Sequence, residues 1–319
     1  MFALNIFGLA GLAAAQAPPA KPAIPKPAAV VSAPGPAAPA SAAKPATAAS
    51  GATQAVQAAL TLSPVVGLVK VPDGRLLAPD IARIVLRGEL VVAMLGVDTP
   101  PFFYEKNGEL VGLEVDLAKA IGKELGVNVR FNRTAKSFNA VVDTIARGEA
   151  DIAVSKLSRT LARAQVISFS QPYLSLNHAL ILNRVKFAQF ARDRALPEVI
   201  RGFTGTVGVI GKSSFADYAK RNFPNAKIQE YPGWDDVLKA LERGEVISAY
   251  RDEFEVKRIL KIDPTASLVL RTVTFKDLED TLGIAVGISD PVLLAFINEF
   301  LAQRSDKLNI TKVLAALEK

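Results

Sequence analysis

The chain has 319 residues, a net charge of +7, no cysteine and a single histidine. Its length suffices for one large or two medium-sized domains with buried cores. The lack of cysteine excludes disulfides, thiolate nucleophiles, thiolate metal sites and a lipid-anchored cysteine, and one histidine cannot build a histidine-rich metal centre. Basic and acidic residues alternate without a basic run, so we expect no nucleic-acid-binding surface. We also expect no cofactor and no metal.

The N-terminal segment has the composition of an export signal. Residues 1–15 are apolar and uncharged, and they are too few to span a bilayer comfortably. Small residues at 13–17 supply a cleavage site, so we predict a signal peptide over residues 1–17. No lysine or arginine precedes the apolar run, which leaves an uncleaved membrane tether as the alternative.

Residues 18–77 are predicted to form a linker. From residue 18 to about residue 50 the chain is mostly alanine and proline, a composition that cannot bury a core and favours extended conformations. Residues 51–70 are apolar without a clear period, and we assign them to the same lead-in.

Strands and helices alternate in the first part of the folded region. Apolar residues recur at helical spacing in three segments that end at Gly88, Gly126 and Gly148, and short apolar runs between them predict buried strands. The helices are predicted at 81–86, 114–125 and 138–147, and the strands at 90–95, 127–131, 152–154 and 179–182. This alternation predicts an α/β domain with a largely parallel sheet.

A second block repeats the plan of the first. Strands are predicted at 206–210, 226–231 and 246–250, with helices at 215–221, 234–243 and 253–260. The segment IARGEADIAVS at 145–155 matches LERGEVISAYR at 241–251, which indicates two similar lobes. A strand at 281–286 and helices at 290–302 and 310–317 complete the chain.

Four motifs connect this pattern to a known family. They are PPFFYEKNGELVGLEVDLAKAIGKELGV at 100–127, SKLSRTLARAQVISFSQPY at 155–173, GTVGVIGKSSFADYA at 205–219 and RGEVISAYRDE at 243–253. From about residue 86 to residue 317 the sequence resembles the polar amino-acid-binding proteins of ABC importers, the family 3 extracellular solute-binding proteins. Each motif alone is moderately specific, and their order and spacing together are a strong signal.

The resemblance implies an α/β fold of the periplasmic-binding-protein type II class. Each lobe is then a mainly parallel sheet flanked by helices, with lobe 1 formed by 78–182 and 273–319 and lobe 2 by 183–272. Hinge strands join the lobes, and the ligand lies in the cleft between them. The implied protein is a periplasmic monomer that hands a small amino acid to the membrane permease of an ABC importer.

A free amino acid needs a partner for its carboxylate and one for its ammonium, because both are costly to desolvate. Arg163 offers a planar fork that suits a carboxylate, and the resemblance assigns it that role. Ser155 and Ser158 stand in the same S-x-x-S-x-T-x-x-R pattern and are expected beside the ligand. Thr160 either joins them or caps the following turn.

Further site residues follow from the second lobe. Ser213 and Ser214 begin a predicted helix, whose free N–H groups favour an anion, and a plain helix cap is the alternative. The resemblance assigns the ligand ammonium to Asp252, which could otherwise only cap a helix. Many relatives carry an aromatic platform where this chain has Thr99, so Asp98 and Thr99 are expected to face the ligand side chain instead.

Two other functions remain open. One is a sensor or partner-binding module on the same fold, which a collapsed cleft would support. The other is an enzyme resembling cyclohexadienyl dehydratases, which would require a general acid with a raised pKa in the cleft. Glu105, Glu114 and Glu230 are candidates for that acid by residue type alone, and nothing in the sequence groups them, so we expect no enzymatic activity. Arg251, next to Asp252, could read an acidic side chain of the ligand, but an exposed or paired surface arginine is the expected case.

Overall fold

The structure is a computed structural model that describes residues 67–318. The predicted signal peptide and the predicted linker up to residue 66 lie outside the described residues. The strands are β1 (Val69–Lys70), β2 (Leu76–Leu77), β3 (Glu89–Ala93), β4 (Tyr104–Lys106), β5 (Glu109–Val111), β6 (Asn128–Asn132), β7 (Ile152–Ala153), β8 (Ser168–Phe169), β9 (Leu174–Asn183), β10 (Thr206–Ile210), β11 (Lys227–Tyr231), β12 (Ser248–Asp252), β13 (Leu270–Leu282) and β14 (Ala285–Val286).

Ten α-helices lie among these strands in the described residues. They are α1 (Pro79–Arg87), α2 (Leu113–Leu125), α3 (Phe138–Ala146), α4 (Arg184–Ala191), α5 (Leu196–Arg201), α6 (Ser214–Asn222), α7 (Trp234–Glu242), α8 (Glu253–Ile262), α9 (Pro291–Gln303) and α10 (Ile310–Ala315). Gly126 ends α2 in the left-handed conformation, at a φ of 74°, as its position after the last apolar residue predicts.

Lobe 1 contains a five-stranded sheet in the order β6-β3-β7-β14-β8. β3 runs parallel to β6 and β7, whereas β14 is antiparallel to β7 and β8. The central strands β3 and β7 are apolar and buried, with Leu90, Val92 and Ile152 fully buried. The carboxyl ends of β3 and β7 therefore share one edge of the sheet.

Lobe 2 contains a second five-stranded sheet, in the order β11-β10-β12-β9-β13. β10 runs parallel to β11 and β12, and β9 and β13 complete the sheet in antiparallel orientation. The carboxyl ends of β10 and β12 lead directly into α6 and α8, so both helix N-termini lie at one edge.

Two long strands carry the chain between the sheets. β9 follows β8 of the first sheet and pairs with β12 of the second, and β13 returns to β14 of the first. The two strands pair with each other along their length, with a register shift between Phe275 and Glu279. They are the hinge strands of the expected fold, and the lobe limits given above remain predictions.

The structure corrects three details of the expected element order. Residues 69–77, assigned to the linker, form the β1–β2 hairpin, because Val71 is buried and closes the turn with Arg75. Residues 184–201 form α4 and α5, which the sequence pattern does not indicate because α4 has apolar residues without a helical stripe. The strand expected at 281–286 is the end of β13 followed by β14.

Candidate functional site

A small pocket between the two sheets brings together the charged residues of both lobes. Its volume is about 10 Å³, which is room for roughly one water molecule. The lobe 1 wall comes from α3 and from the loop after β7, and the lobe 2 wall comes from the start of α6 and the end of β12, with one residue from β13. The lining residues are Phe138, Lys156, Ser158, Arg163, Ser214, Phe215, Arg251, Asp252 and Asp280.

Arg163 is buried and held by two hydrogen bonds of its guanidinium. Its Nη1 donates to the carbonyl oxygen of Ser158 at 3.0 Å, and its Nη2 donates to Oδ1 of Asn139 at 3.0 Å. Burial lowers its pKa from the ordinary arginine value. The backbone N–H of Arg163 donates to Oγ1 of Thr160 at 3.2 Å, which supports the capping role for Thr160. The guanidinium is thus fixed in orientation before a ligand arrives.

Ser158 and Ser214 join the two lobes through their hydroxyls. The Oγ atoms lie 2.7 Å apart, and Ser158 Oγ also donates to Oδ2 of Asp280 at 3.0 Å. The Tyr218 hydroxyl donates to the other carboxylate oxygen of Asp280 at 3.4 Å. Burial raises the pKa of Asp280 to about 6, against the lowering effect of the Ser158 hydrogen bond. The pocket therefore holds a carboxyl group that is harder to ionise than an ordinary aspartate.

Asp252 combines a helix cap with a buried ion pair. Its Oδ1 accepts the backbone N–H of Glu255 at 3.2 Å, which caps α8, and its Oδ2 lies 3.0 Å from Nζ of Lys156. The same Nζ lies 2.8 Å from Oε1 of Glu255. Burial opposes the ionisation of Glu255, but the positive charges of Lys156 and Arg258 lower its pKa to about 2. The carboxylates of Asp252 and Glu255 therefore share one buried lysine.

Arg251 is buried, so the expected surface position is wrong, whereas its Nε lies 3.7 Å from Oδ2 of Asp252, which is the pairing considered for it. Its guanidinium lies 5.3 Å from the ring centroid of Phe138, 5.4 Å from that of Phe215 and 6.0 Å from that of Trp234. A guanidinium stacked on aromatic faces between two lobes is stabilised by the ring quadrupoles. The aromatic surroundings come from three separate helices, so the sequence around Arg251 gives no sign of them.

The predicted site residues divide into three groups. The pocket brings together Arg163, Ser158, Ser214 and Asp252. Ser155 and Ser213 are buried beside it with local roles. Ser155 Oγ accepts the backbone N–H of Leu95 at 2.9 Å. Ser213 Oγ donates to the carbonyl of Ile210 at 2.6 Å and caps α6, the alternative considered for it.

Asp98 and Thr99 do not line the small pocket. They lie on the wall of a larger cavity of about 550 Å³ between the lobes, which shares Phe138 and Arg251 with the small pocket. Asp98 is half exposed, and its Oδ1 accepts a hydrogen bond from Nη2 of Arg133 at 2.7 Å. Thr99 pairs with Phe103 in a tight turn. Contact of these residues with a ligand side chain remains a prediction.

Besides Arg251 and the aromatic residues Phe138 and Phe215, two charged pocket residues were missed by reasoning from the sequence alone. Lys156 lies inside the S-x-x-S pattern, and its position between two serines of the site was a usable signal. Asp280 comes just before the Gly283 turn on a strand whose packing partners are far away in sequence, so no local pattern indicates its burial.

Within residues 67–318 there is no group of three or more histidine, cysteine, aspartate or glutamate side chains placed to hold a metal ion. The same part of the chain contains no helix that is both long and apolar enough to cross a membrane.

Comparison with known proteins identifies the family. ABC transporter arginine-binding protein 1 of Escherichia coli strain K12 is 26% identical over 205 residues, which are 64% of this chain and 80% of that protein. The crystal structure of an amino acid ABC transporter substrate-binding protein of Streptococcus pneumoniae bound to L-arginine has a TM-score of 0.60 at 26% identity, covering 73% of this chain and 98% of that one.

A third similar protein is an ancestral amino acid-binding protein described as a precursor of cyclohexadienyl dehydratase. Its crystal structure has a TM-score of 0.59 at 25% identity, and the match covers 75% of this chain and 99% of that one. Together with the two sheets and hinge strands, these similarities confirm the expected type II fold. The profile of a single family matches residues 90–315. The chain belongs to the bacterial extracellular solute-binding proteins, family 3.

Proposed function

We propose that the protein binds a small amino acid between its lobes, in the periplasm, and delivers it to the membrane permease of an ABC importer as a monomer without enzymatic activity. The observation that carries the proposal is the meeting of Arg163, Ser158, Ser214 and Asp252 in one buried pocket between the two sheets. These residues supply a fork for a carboxylate and a carboxylate for an ammonium, which are the two charges of an amino acid.

Two buried donors that lack a hydrogen-bond acceptor support binding of a polar solute. Within residues 67–318, the buried side-chain nitrogens without a hydrogen-bond partner are Nε1 of Trp234 and Nε of Arg251. Both residues line the 550 Å³ cavity beside the small pocket. A buried donor without an acceptor is costly, so a ligand oxygen at this place would be stabilised. The larger cavity thus offers space and hydrogen bonds for a ligand side chain.

The hinge strands suggest how binding is coupled to recognition by the permease. Ser158 of lobe 1 and Ser214 of lobe 2 are hydrogen-bonded to each other, so they come together only when the lobes are closed. A ligand that contacts both walls stabilises this closed state relative to an open one by its difference in affinity. The closed pair of lobes is the surface that the permease would recognise.

L-arginine is the first ligand to test, because the similar proteins named above include an arginine-binding protein and a structure with L-arginine bound. The experiment is a thermal-shift screen of the full chain with the twenty amino acids, followed by Arg163→Ala. At a concentration of ~100 times the dissociation constant, a ligand raises the free energy of unfolding by about 2.7 kcal/mol, which is a readily measured shift.

Arg163→Ala should abolish the shift, since the ligand carboxylate loses its fork. Arg159→Ala is the matched control, because Arg159 is an exposed arginine four residues away in the same loop, and it should leave the shift unchanged. An equal shift in the wild type and in Arg163→Ala would contradict the role of the pocket.

A sensor or partner-binding module is the second candidate, and the small volume of the pocket, about 10 Å³, favours it. A pocket of this size holds a complete amino acid only after side chains move. If none of the twenty amino acids shifts the melting temperature, the transport function is wrong, and pull-down of a membrane partner becomes the next experiment.

The three carboxyl groups considered for catalysis from the sequence do not line the pocket, and Asp280, the pocket carboxyl group whose pKa burial raises, accepts hydrogen bonds from Ser158 and Tyr218. Glu105 is exposed, and Glu230 is ion-paired with Lys220 at 2.9 Å. Burial raises the pKa of Glu114 to about 7, but its carboxylate accepts hydrogen bonds from Tyr173 and from the backbone of Lys156 and does not line the pocket. Product formation from prephenate would contradict this part of the proposal.

A further inference from the structure

We propose that Lys156 is a specificity-determining residue whose ε-ammonium occupies the position on Asp252 that the α-ammonium of an amino acid would take. The inference rests on the proposed function, in which Asp252 receives that ammonium. It follows that α-amino acids bind only after Lys156 moves, whereas a carboxylate ligand without an α-ammonium binds without this displacement.

The carboxylate of Asp252 has little capacity left for a ligand. Its Oδ1 accepts the backbone N–H of Glu255 at 3.2 Å, and its Oδ2 lies 3.0 Å from Nζ of Lys156 and 3.7 Å from Nε of Arg251. Asp252 itself is buried. A ligand ammonium that approaches this pocket would therefore meet a cation already bound at Oδ2, and two ammonium groups at one buried oxygen repel each other.

Lys156 is firmly held in this position. Its Nζ is paired with Glu255 at 2.8 Å and lies 4.9 Å and 5.0 Å from the ring centroids of Phe102 and Phe254. Its side chain is 2% exposed. A buried ammonium with two carboxylates and two aromatic faces loses all four contacts when it moves to water. Its displacement therefore opposes the binding of any ligand that needs the same place.

The charge of Asp252 is met by a cation of the chain itself. Lys156, Arg163 and Arg251 supply three positive charges to the pocket wall, and Asp252 and Asp280 are the two carboxyl groups there. Glu255 lies beside them and is shared by Lys156 at 2.8 Å and Arg258 at 3.0 Å. A site in which the ligand ammonium neutralises Asp252 would not need a lysine at position 156. Here that cation is built in, which leaves the fork of Arg163 for a ligand carboxylate and no unoccupied oxygen of Asp252 for an ammonium.

The backbone of Lys156 adds a second observation. Its φ is +48°, in the left-handed region that favours glycine, and the same is true of Lys212, at +51°. Lys156→Gly therefore fits the backbone, removes the competing ammonium and opens space next to Asp252. Lys212→Gly is the matched control, since it relaxes a lysine of the same conformation that does not line the pocket.

The test compares two ligands that differ by one group, L-arginine and 5-guanidinopentanoate, which is arginine without its α-ammonium. Their dissociation constants are measured by calorimetry on the full chain, as wild type, Lys156→Gly and Lys212→Gly. The wild type and Lys212→Gly should prefer 5-guanidinopentanoate. Lys156→Gly should bind L-arginine about tenfold or more tightly than the wild type does, because a blocked site lowers the apparent affinity by the fraction of molecules in which the site is open. This variant should also prefer L-arginine to 5-guanidinopentanoate, the reverse of the wild-type order.

The outcomes are distinguishable. If Lys156→Gly does not fold, Lys156→Ser is measured in its place, with the same expected reversal. If the wild type already binds L-arginine more tightly than 5-guanidinopentanoate and the lysine variant leaves that order unchanged, the role of Lys156 is wrong and the proposed function stands. If neither ligand nor any of the other amino acids binds to the wild type or to the variants, the proposed function fails and this inference fails with it.

Discussion

The repeated segments at 145–155 and 241–251 are alike in their first residues, and the residues that directly follow them carry opposite charges. In both, an arginine and a glutamate flank a glycine and form an exposed ion pair, with Nε to Oε1 distances of 2.6 Å. Both then continue into a strand that ends at the cleft. The residue that directly follows is Lys156 after one segment and Asp252 after the other, and these two side chains pair across the lobes at 3.0 Å. Two similar scaffolds thus acquire complementary charges at a single matching position.

The surroundings of the two residues explain which charge each can hold. Asp252 precedes α8, and a carboxylate there is stabilised by the free N–H groups and the dipole of the helix N-terminus. Lys156 instead begins the loop that leads to Ser158 and Arg163, where no helix N-terminus opposes a cation. The segment that follows each strand, and not the strand itself, therefore determines which charge its wall of the pocket can hold.

Removal of the lobe 2 partner is the strongest way to break this pairing. Asp252→Ala should lower the free energy of unfolding by about 3–5 kcal/mol, because it leaves the buried Lys156 with one carboxylate fewer. Loss of the cap of α8 should contribute ~1 kcal/mol of this. Urea denaturation followed by circular dichroism measures the change.

Asp252→Asn is the control that separates charge from capping, since an asparagine still accepts the N–H of Glu255. It should destabilise the protein less than Asp252→Ala does. The double variant Lys156→Met with Asp252→Asn should recover part of the loss, because it removes both charges of the pair. If Asp252→Ala costs less than ~1 kcal/mol, the pairing of the two lobes does not stabilise the closed protein.

The contact between the lobes is also predicted to depend on pH through Asp280. Burial raises its pKa from 3.8 to about 6 in the folded protein. The folded state therefore binds this proton more tightly than the unfolded state, and the associated stability is present below pH 4 and is lost as the pH rises through 6. From pH 4 to pH 8 the loss should be about 2–3 kcal/mol.

Asp280→Asn isolates this contribution, since asparagine has a similar shape and no proton to lose. The unfolding free energy of the wild type minus that of Asp280→Asn should fall between pH 4 and pH 8. The difference removes the effects of other groups, among them His178, whose pKa burial lowers to about 4. If this difference in unfolding free energy does not change with pH, Asp280 is not the group that titrates at the contact between the lobes.

Sequence reasoning predicted the elements well where the signal is local. α2 and its glycine end follow from apolar spacing and one stop residue, and the strand at Thr206–Ile210 has the predicted bounds. The S-x-x-S-x-T-x-x-R pattern likewise led to Ser158 and Arg163, which the structure places in the pocket. These features depend on residues that are close together in the chain.

The remaining features of the site depend on contacts between distant segments. Arg251 is buried because helices from both lobes place Phe138, Phe215 and Trp234 around it, and Lys156 is buried because Asp252 and Glu255 lie opposite. Residue type alone does not predict which lysine forms a buried ion pair, since Lys156 is buried and Lys212 is exposed. Burial of a charge is a property of the assembled lobes.

The two glycines of the repeat allow the mildest test of the comparison. Gly148 and Gly244 follow α3 and α7 with φ of +70° and +71°, so alanine at either place should cost about 1 kcal/mol through backbone strain. A methyl group at Gly148 meets no atom within 4 Å, whereas one at Gly244 would collide with the side chain of Lys186, which is exposed and able to move. Gly244→Ala should therefore be slightly more destabilising than Gly148→Ala. When Gly244→Ala is combined with Lys186→Ala, the loss of stability should match that of Gly148→Ala. Thermal unfolding followed by calorimetry measures these losses. Equal effects of the two single variants would mean that the lobes are alike at this turn as well, and that their difference is confined to the pocket.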